Sequence, residues 1–242
     1  MLQRFSLFIF LAGFGLALQA QDITVDQVLE NYFEITGGVE NWKDLNSMKM
    51  TAVMSMQGME FNGVITQMRP NKQRVEVNIQ GQSMIQAYDG EDAWWIFPMQ
   101  TGPDPQNMPA EMAEDMVKEK FEDEFIDYAE KGHTVEMIGT KEVDGAQTYE
   151  IKMTKENGDV VYYYFDTEYF VPIMQKAEVS EGPMKGQFVE RYLSDYQEVD
   201  GMMIPHFMEV KINGQFTQKI TLKEIKLNPE LDESIFSRPK KD

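Results

Sequence analysis

The feature that most constrains this chain is a change of hydrophobic period that occurs once, early, and then persists. From Met48 onward apolar residues alternate with polar ones: Met48, Met50, Ala52, Met54 and Met56 are offset by Ser47, Lys49, Thr51, Val53 and Ser55. Val75, Val77 and Ile79 repeat the pattern against Arg74, Glu76 and Asn78. A period of two residues marks a half-buried β-strand. Further strands are predicted over 83–88, 93–97, 134–138, 148–154, 160–166, 173–179, 187–196, 204–212 and 216–227. Asp-Gly and Asn-Gly pairs, at Asp89, Asp144, Asn157, Asp200 and Asn213, punctuate them. Such pairs supply the positive φ angles of tight hairpin turns. About eleven short strands in succession predict one meandering antiparallel sheet, curled or closed, in a mostly β fold.

Two segments depart from the meander. Thr24 to Gly37 is predicted to be one helix, opened by a Thr24-Val-Asp-Gln27 capping box and ended by Gly37-Gly38. Val25, Val28, Leu29, Tyr32 and Phe33 form its apolar face. After a Pro-containing loop at 102–107, residues 109–131 are predicted to be a second helix with Met112, Met116, Val117, Phe121, Phe125 and Tyr128 on one side. Between Asp104 and Lys131 stand ten acidic and three basic residues, expected to form a solvated helix face rather than a docking surface. No linker divides the chain, so 21–242 is read as a single domain.

Residues 1–20 have the form of a cleavable secretory signal. Arg4 precedes a predominantly apolar run of 14 residues, Phe5–Leu18, too short for a bilayer span of about 20. Beyond it stand 21 basic and 41 acidic residues, a net charge of −20. That excess argues against nucleic-acid and anionic-membrane partners, which need clustered Lys and Arg. The absence of Cys removes disulfides, thiolate metal sites and thiol nucleophiles.

Little in the residues points to catalysis or to a metal. His133 and His206 are read as structural or surface residues. The Asp89-Gly-Glu-Asp92 run is read as a turn, because it lacks the ligand spacing of a calcium loop. The informative residue is methionine: 18 follow the initiator, several on one strand face. Met packs loosely and suits surfaces that adapt to varied ligands. Close by are Trp94, Trp95, Phe97 and the run Tyr162–Phe165. On the residues alone, an ordinary core and an adaptable apolar cavity both remain open.

Met68-Arg69-Pro70-Asn71, Tyr88-Asp89-Gly90, Ala93-Trp94-Trp95, Phe97-Pro98 and the closing Ile235-Phe236-Ser237-Arg238-Pro239, in this order, resemble the periplasmic outer-membrane lipoprotein-sorting carriers of the Lol type. The resemblance covers about 24–239, and the insertion after Pro98 is longer and more acidic than in a typical carrier. It implies a single half-open antiparallel barrel covered by helices, a monomer without cofactor or catalysis. It further implies binding of lipoprotein acyl chains or other lipid, exchanged with membrane-bound loading and acceptor proteins. Arg69 matches the residue that latches the lid. The expected lining is Met48, Met50, Met54, Met56, Phe61, Ile65, Val75, Val77, Trp94, Ile96, Tyr149, Ile151, Met153, Tyr163 and Phe165. The alternatives are an envelope sensor domain of the same fold that holds another apolar ligand, a carboxylate-dependent hydrolase, and an outer-membrane barrel.

Overall fold

The computed structural model describes residues 23–118, 120–182 and 184–240; the apolar leader at 1–20 lies outside them. Thirteen strands among these residues form a single antiparallel sheet. They are β1 (Ser47–Met56), β2 (Met59–Met68), β3 (Lys72–Ile79), β4 (Gln82–Tyr88), β5 (Ala93–Phe97), β6 (Gly102–Asn107), β7 (Thr134–Val143), β8 (Ala146–Thr154), β9 (Val160–Asp166), β10 (Pro172–Glu178), β11 (Phe188–Val199), β12 (Met202–Ile212) and β13 (Gln215–Leu227). The last strand returns beside the first, giving the order β6-β5-β4-β3-β2-β1-β13-β12-β11-β10-β9-β8-β7. The architecture is a half-open barrel with helices covering its inner face.

Every sequence neighbour in the meander is also a spatial neighbour, with one exception. β6 and β7 are consecutive in the chain yet form the two opposite edges of the sheet. The chain between them, 108–133, must therefore run from one rim to the other. Both edges are blunted against pairing with other chains. β6 carries Pro103 and Pro105, which an edge strand tolerates because Pro lacks the ladder N–H. The sequence reading made this stretch a loop; its pairing of Trp94 with Asn107 and of Phe97 with Gly102 makes it a strand. β7 carries a bulge between Met137 and Gly139, a common device for disrupting an edge.

Residues paired directly across an antiparallel ladder share a face. Met50 pairs with Ile65, Ile65 with Val75, Val75 with Gln86, Gln86 with Trp95 and, on the other side, Met50 with Ile225. This row belongs to the inner face. α1 (Val25–Ile35) lies on that face over the far half of the sheet, where its Val28, Leu29, Tyr32 and Phe33 pack with Ile151, Met153, Val161, Tyr163 and Phe165. Burying an aliphatic or Phe side chain of this size contributes about 1.5–3 kcal/mol. The predicted capping box is present: Thr24 Oγ1 accepts from Gln27 N at 3.3 Å, and Gln27 Oε1 accepts from Thr24 N at 2.9 Å.

Gly37 ends α1 against the β11–β12 hairpin. Its φ is +108°, and a Cβ there would lie 2.4 Å from the Gly201 carbonyl oxygen. Gly37→Ala is thus both strained and overpacked, and should cost at least about 2 kcal/mol, lowering Tm by roughly 4–8 °C in a thermal melt. An unchanged melting temperature would show that the hairpin can move aside. Beyond Gly38 a short second helix, α2 (Val39–Asp44), carries Trp42, which touches the cores on both halves of the sheet.

Candidate lid and apolar binding face

The rim-to-rim connection begins with α4 (Ala110–Lys118); the single turn α3 (Pro98–Thr101) precedes β6. Met108 and Met116 pack with Tyr88 beside Ala93 and Trp95, so α4 covers the inner face of β4 and β5. Gln73 Nε2, from β3, donates to the Met116 carbonyl at 2.8 Å and satisfies an end-of-helix oxygen. At its far end Lys118 pairs with Glu114 (3.1 Å) and reaches Glu181 (3.6 Å) in the β10–β11 connection.

The helix stops at Lys118 rather than continuing to Lys131, and residues 120–133 follow in turns. Consecutive side chains on a helix fan apart, so they cannot all reach one packed surface. Here three consecutive carboxylates do reach inward. Glu122 pairs with Arg69 and Lys131, each at 2.6 Å. Asp123 accepts from the Tyr32 hydroxyl at 2.7 Å and from the Phe125 N–H at 2.8 Å. Glu124 accepts from the Tyr163 hydroxyl at 2.6 Å and pairs with Lys155. The expected solvated acidic face is therefore not formed by the whole segment: Glu111 and Glu114 on α4, and Asp127 and Glu130 beyond it, are exposed. The carboxylates of 122–124 are tethers instead.

Electrostatics follow from these contacts. Burial pushes the Asp123 carboxyl above its ordinary range; the Tyr32 and Phe125 hydrogen bonds offset only part of that. Burial also acts on Glu122, but Lys131 and Arg69 outweigh it and hold its carboxyl below the ordinary value. Tyr32 and Tyr163 are raised well above theirs, first by burial and then by the adjacent carboxylates. Both hydroxyls thus remain proton donors to the tethers.

Arg69 sits where these parts meet. Its Nε donates to the Leu45 carbonyl at 2.7 Å and its Nη2 to the Trp42 carbonyl at 2.8 Å, both at the C-terminal end of α2. Its Nη1 holds Glu122 of the lid connection, and its guanidinium lies 5.6 Å from the Phe121 ring centroid. Only the five donors of an Arg can serve three acceptors on two elements in this way.

The fifteen residues expected to line a cavity fall into three groups. Tyr149, Ile151, Met153, Tyr163 and Phe165 lie together on the inner face, but α1 and the buried Phe125 and Ile126 fill the space above them. The Phe125 ring centroid is 4.6 Å from that of Tyr163 and 5.6 Å from that of Phe165. Met48 and Met50 pack with Leu45, Met202, Ile204 and Ile225. Towards the β1–β2 hairpin the same face opens. Met54, Phe61, Ile65 and Val75 are half-buried, Val77 is buried, and Met56 is 47% exposed. Gly63 makes room there: a Cβ on it would lie 3.1 Å from Met54 Cε. The third group is Trp94 and Ile96. The register pairs them with Ala87 and Ile85, on the opposite face from the Met row, so they are not brought together with the rest.

Trp94 is buried by the C-terminal segment that crosses the outer face. Its Nε1 donates to the Phe236 carbonyl at 2.7 Å, Arg74 donates to that of Ile235 at 3.1 Å, and Arg238 grips Asp92 with two bonds of 2.8 Å. Asp89 Oδ1 accepts from the N–H groups of Glu91 and Asp92, which makes Asp89–Asp92 a side-chain-closed turn. His133 Nδ1 accepts from Glu156 N, and His206 Nδ1 lies 2.9 Å from the Ile204 carbonyl. Among the described residues no group of three or more His, Cys, Asp or Glu is placed to hold a metal ion. A cleft of about 430 Å³ opens on the outer face, lined by Thr51, Asn62, Glu76, Asn78, Ser83 and Lys223 among others.

The sequence reading missed the tethers. The run Phe121-Glu-Asp-Glu-Phe125 holds the available signal: three charges between two aromatics fit neither face of an amphipathic helix.

A curled thirteen-stranded sheet whose helices and rim-to-rim connection cover one face is the LolA-like fold. The solved structures it matches include the LolA superfamily protein of Nitrosomonas europaea, at 12% identity and a TM-score of 0.57, covering 89% of this chain and 98% of that one. A DUF1329 family protein of Desulfovibrio piger matches at 12% identity and a TM-score of 0.59, over 87% and 97%. A putative outer membrane lipoprotein-sorting protein domain of Vibrio parahaemolyticus matches at 10% identity and a TM-score of 0.56, over 87% and 94%. No protein-family model matches the sequence, and no curated protein matches it.

Proposed function

We propose that this protein is an extracytoplasmic carrier that takes up the acyl chains of lipoproteins or related lipids on its inner face and hands them on. One observation carries the reading. The inner face is largely apolar, with Gln73 and Gln86 among the exceptions, yet the protein's own helices fill only part of it, and the Met-rich part towards the β1–β2 hairpin stays accessible. A sheet face of this character belongs against hydrocarbon. Similarity of fold to the Vibrio sorting-protein domain supports the same reading. So does the leader-like N-terminus, which would deliver the chain to the periplasm. Among the described residues no helix is long and apolar enough to cross a membrane.

Energetics fit a carrier. Burying about 15 methylenes from water is worth ~12 kcal/mol, so an acyl chain does not cross an aqueous space unprotected. Relative to a membrane the same burial gains almost nothing, and direction must come from smaller terms. A latch of charge-assisted hydrogen bonds, about 1.5–3 kcal/mol each, is of that size, and Arg69 is the residue placed to supply it.

Native mass spectrometry of protein purified from its own envelope should reveal co-isolated lipid, and a fluorescent acyl probe should bind the delipidated protein. Absence of both overturns the reading.

A further inference from the structure

We infer that Met56 and Met59 form an oxidation-sensitive gate at the open end of the inner face. The inference rests on the acyl-binding reading for its consequence, but not for the site itself. The two residues are direct cross-strand partners on either side of the Gln57-Gly58 turn. They share the face of Met54 and Phe61 and are 47% and 54% exposed, whereas Met48 and Met50, on the same strand face, are 8% and 7% exposed. One strand thus carries chemically identical side chains from sealed core to open solvent. A ligand lying along the Met row has to pass the exposed pair.

Thioether reactivity towards two-electron oxidants follows access to sulfur. The chain has no cysteine to intercept such oxidants. With a hydroperoxide the sulfur lone pair attacks the distal peroxide oxygen. An S–O bond forms, the O–O bond breaks, and the departing oxygen leaves as water or alcohol after protonation. Sulfur is oxidised and the peroxide is reduced, each by two electrons. The product is a methionine sulfoxide, a strong dipole where the ligand needs apolar surface. The sheet stays folded, because the two side chains are already 47% and 54% exposed rather than packed in the core. Oxidation therefore converts the accessible end of the apolar face to a polar one without unfolding the protein.

The test treats the purified full chain with limiting hydrogen peroxide and maps the uptake of oxygen by peptide mass spectrometry. Met56 and Met59 should gain one oxygen each before Met48, Met50 and Met153 do. Equal rates for all five would overturn the site. Affinity for a fluorescent acyl probe should then fall about tenfold, the effect of turning a polar group towards an apolar ligand. The Met56→Leu/Met59→Leu protein keeps an apolar gate without sulfur, and its affinity, whatever its starting value, should be the same before and after the treatment. A Met99→Leu/Met112→Leu/Met184→Leu protein lacks three other exposed methionines and should still lose affinity. Loss in the Met56/Met59 variant, or none in the wild type, overturns the gate. An untreated protein that binds no probe overturns the carrier reading and the gate's consequence together, while the oxygen map still decides where oxidation falls.

Discussion

Arg69→Leu should lower stability by about 2–4 kcal/mol and Tm by roughly 5–15 °C, while leaving the sheet intact. The substitution removes three charge-assisted hydrogen bonds at once, to Leu45, Trp42 and Glu122. It leaves two half-buried carbonyls and one carboxylate, which keeps Lys131, without their guanidinium. Hydrogen exchange should rise over residues 39–45 and 120–131 and stay unchanged in β8 and β9, because the contact joins only α2 and the lid connection. Arg69→Lys, able to keep one acceptor, should lose about half as much. If Arg69 is the latch of a carrier, the Leu variant also releases an acyl probe faster. Uniform exchange across the chain, or none beyond the wild type, would show that the lid is held elsewhere.

Phe125→Ala should be costlier, about 3–5 kcal/mol, the range for deleting a buried aromatic ring. Phe125 is 4% exposed and fills the space between α1 and the strands, with ring contacts to Tyr32, Tyr163 and Phe165. Its loss should leave a hollow that binds a small apolar dye, and Phe125→Leu should refill most of it. Denaturant titration gives the energy, and dye fluorescence at low denaturant reports the hollow. A stable Ala variant with no dye binding would mean that Ile126 and α1 collapse into the vacancy. The Arg69→Leu/Phe125→Ala double variant should lose less than the sum, because both changes free the same 121–126 segment.

What could be read in advance follows the physics of periodicity. β5 and β9 fall where alternation and the flanking turns place them, and the capping box at Thr24 gives the start of α1. Local patterns record local choices, and hairpins and caps are local. The half-open barrel came from short motifs in order, among them Arg69-Pro70 and Phe97-Pro98, and the sheet order agrees with it. The tethers resisted because their partners lie far away in sequence: Asp123 meets Tyr32 from 91 residues off, and Arg69 meets Glu122 from 53. Charges read one at a time look solvated; these are held by hydroxyls and cations that a linear reading does not place nearby. Trp94 misled for a related reason. Alternation assigns residues to two faces, but only the register shows that Trp95, not Trp94, shares the face of Met50.

The connection between β6 and β7 spans the sheet from free edge to free edge, as a string spans a bow. Tension and aperture are then a single mechanical variable. Slackening the string at Glu122 would let the limbs spread, and forcing the limbs apart would pull on Glu122. On the carrier reading, a guest that wedges the curved sheet wider would in this way work its own release catch, without a separate signal carried from the binding face to Arg69.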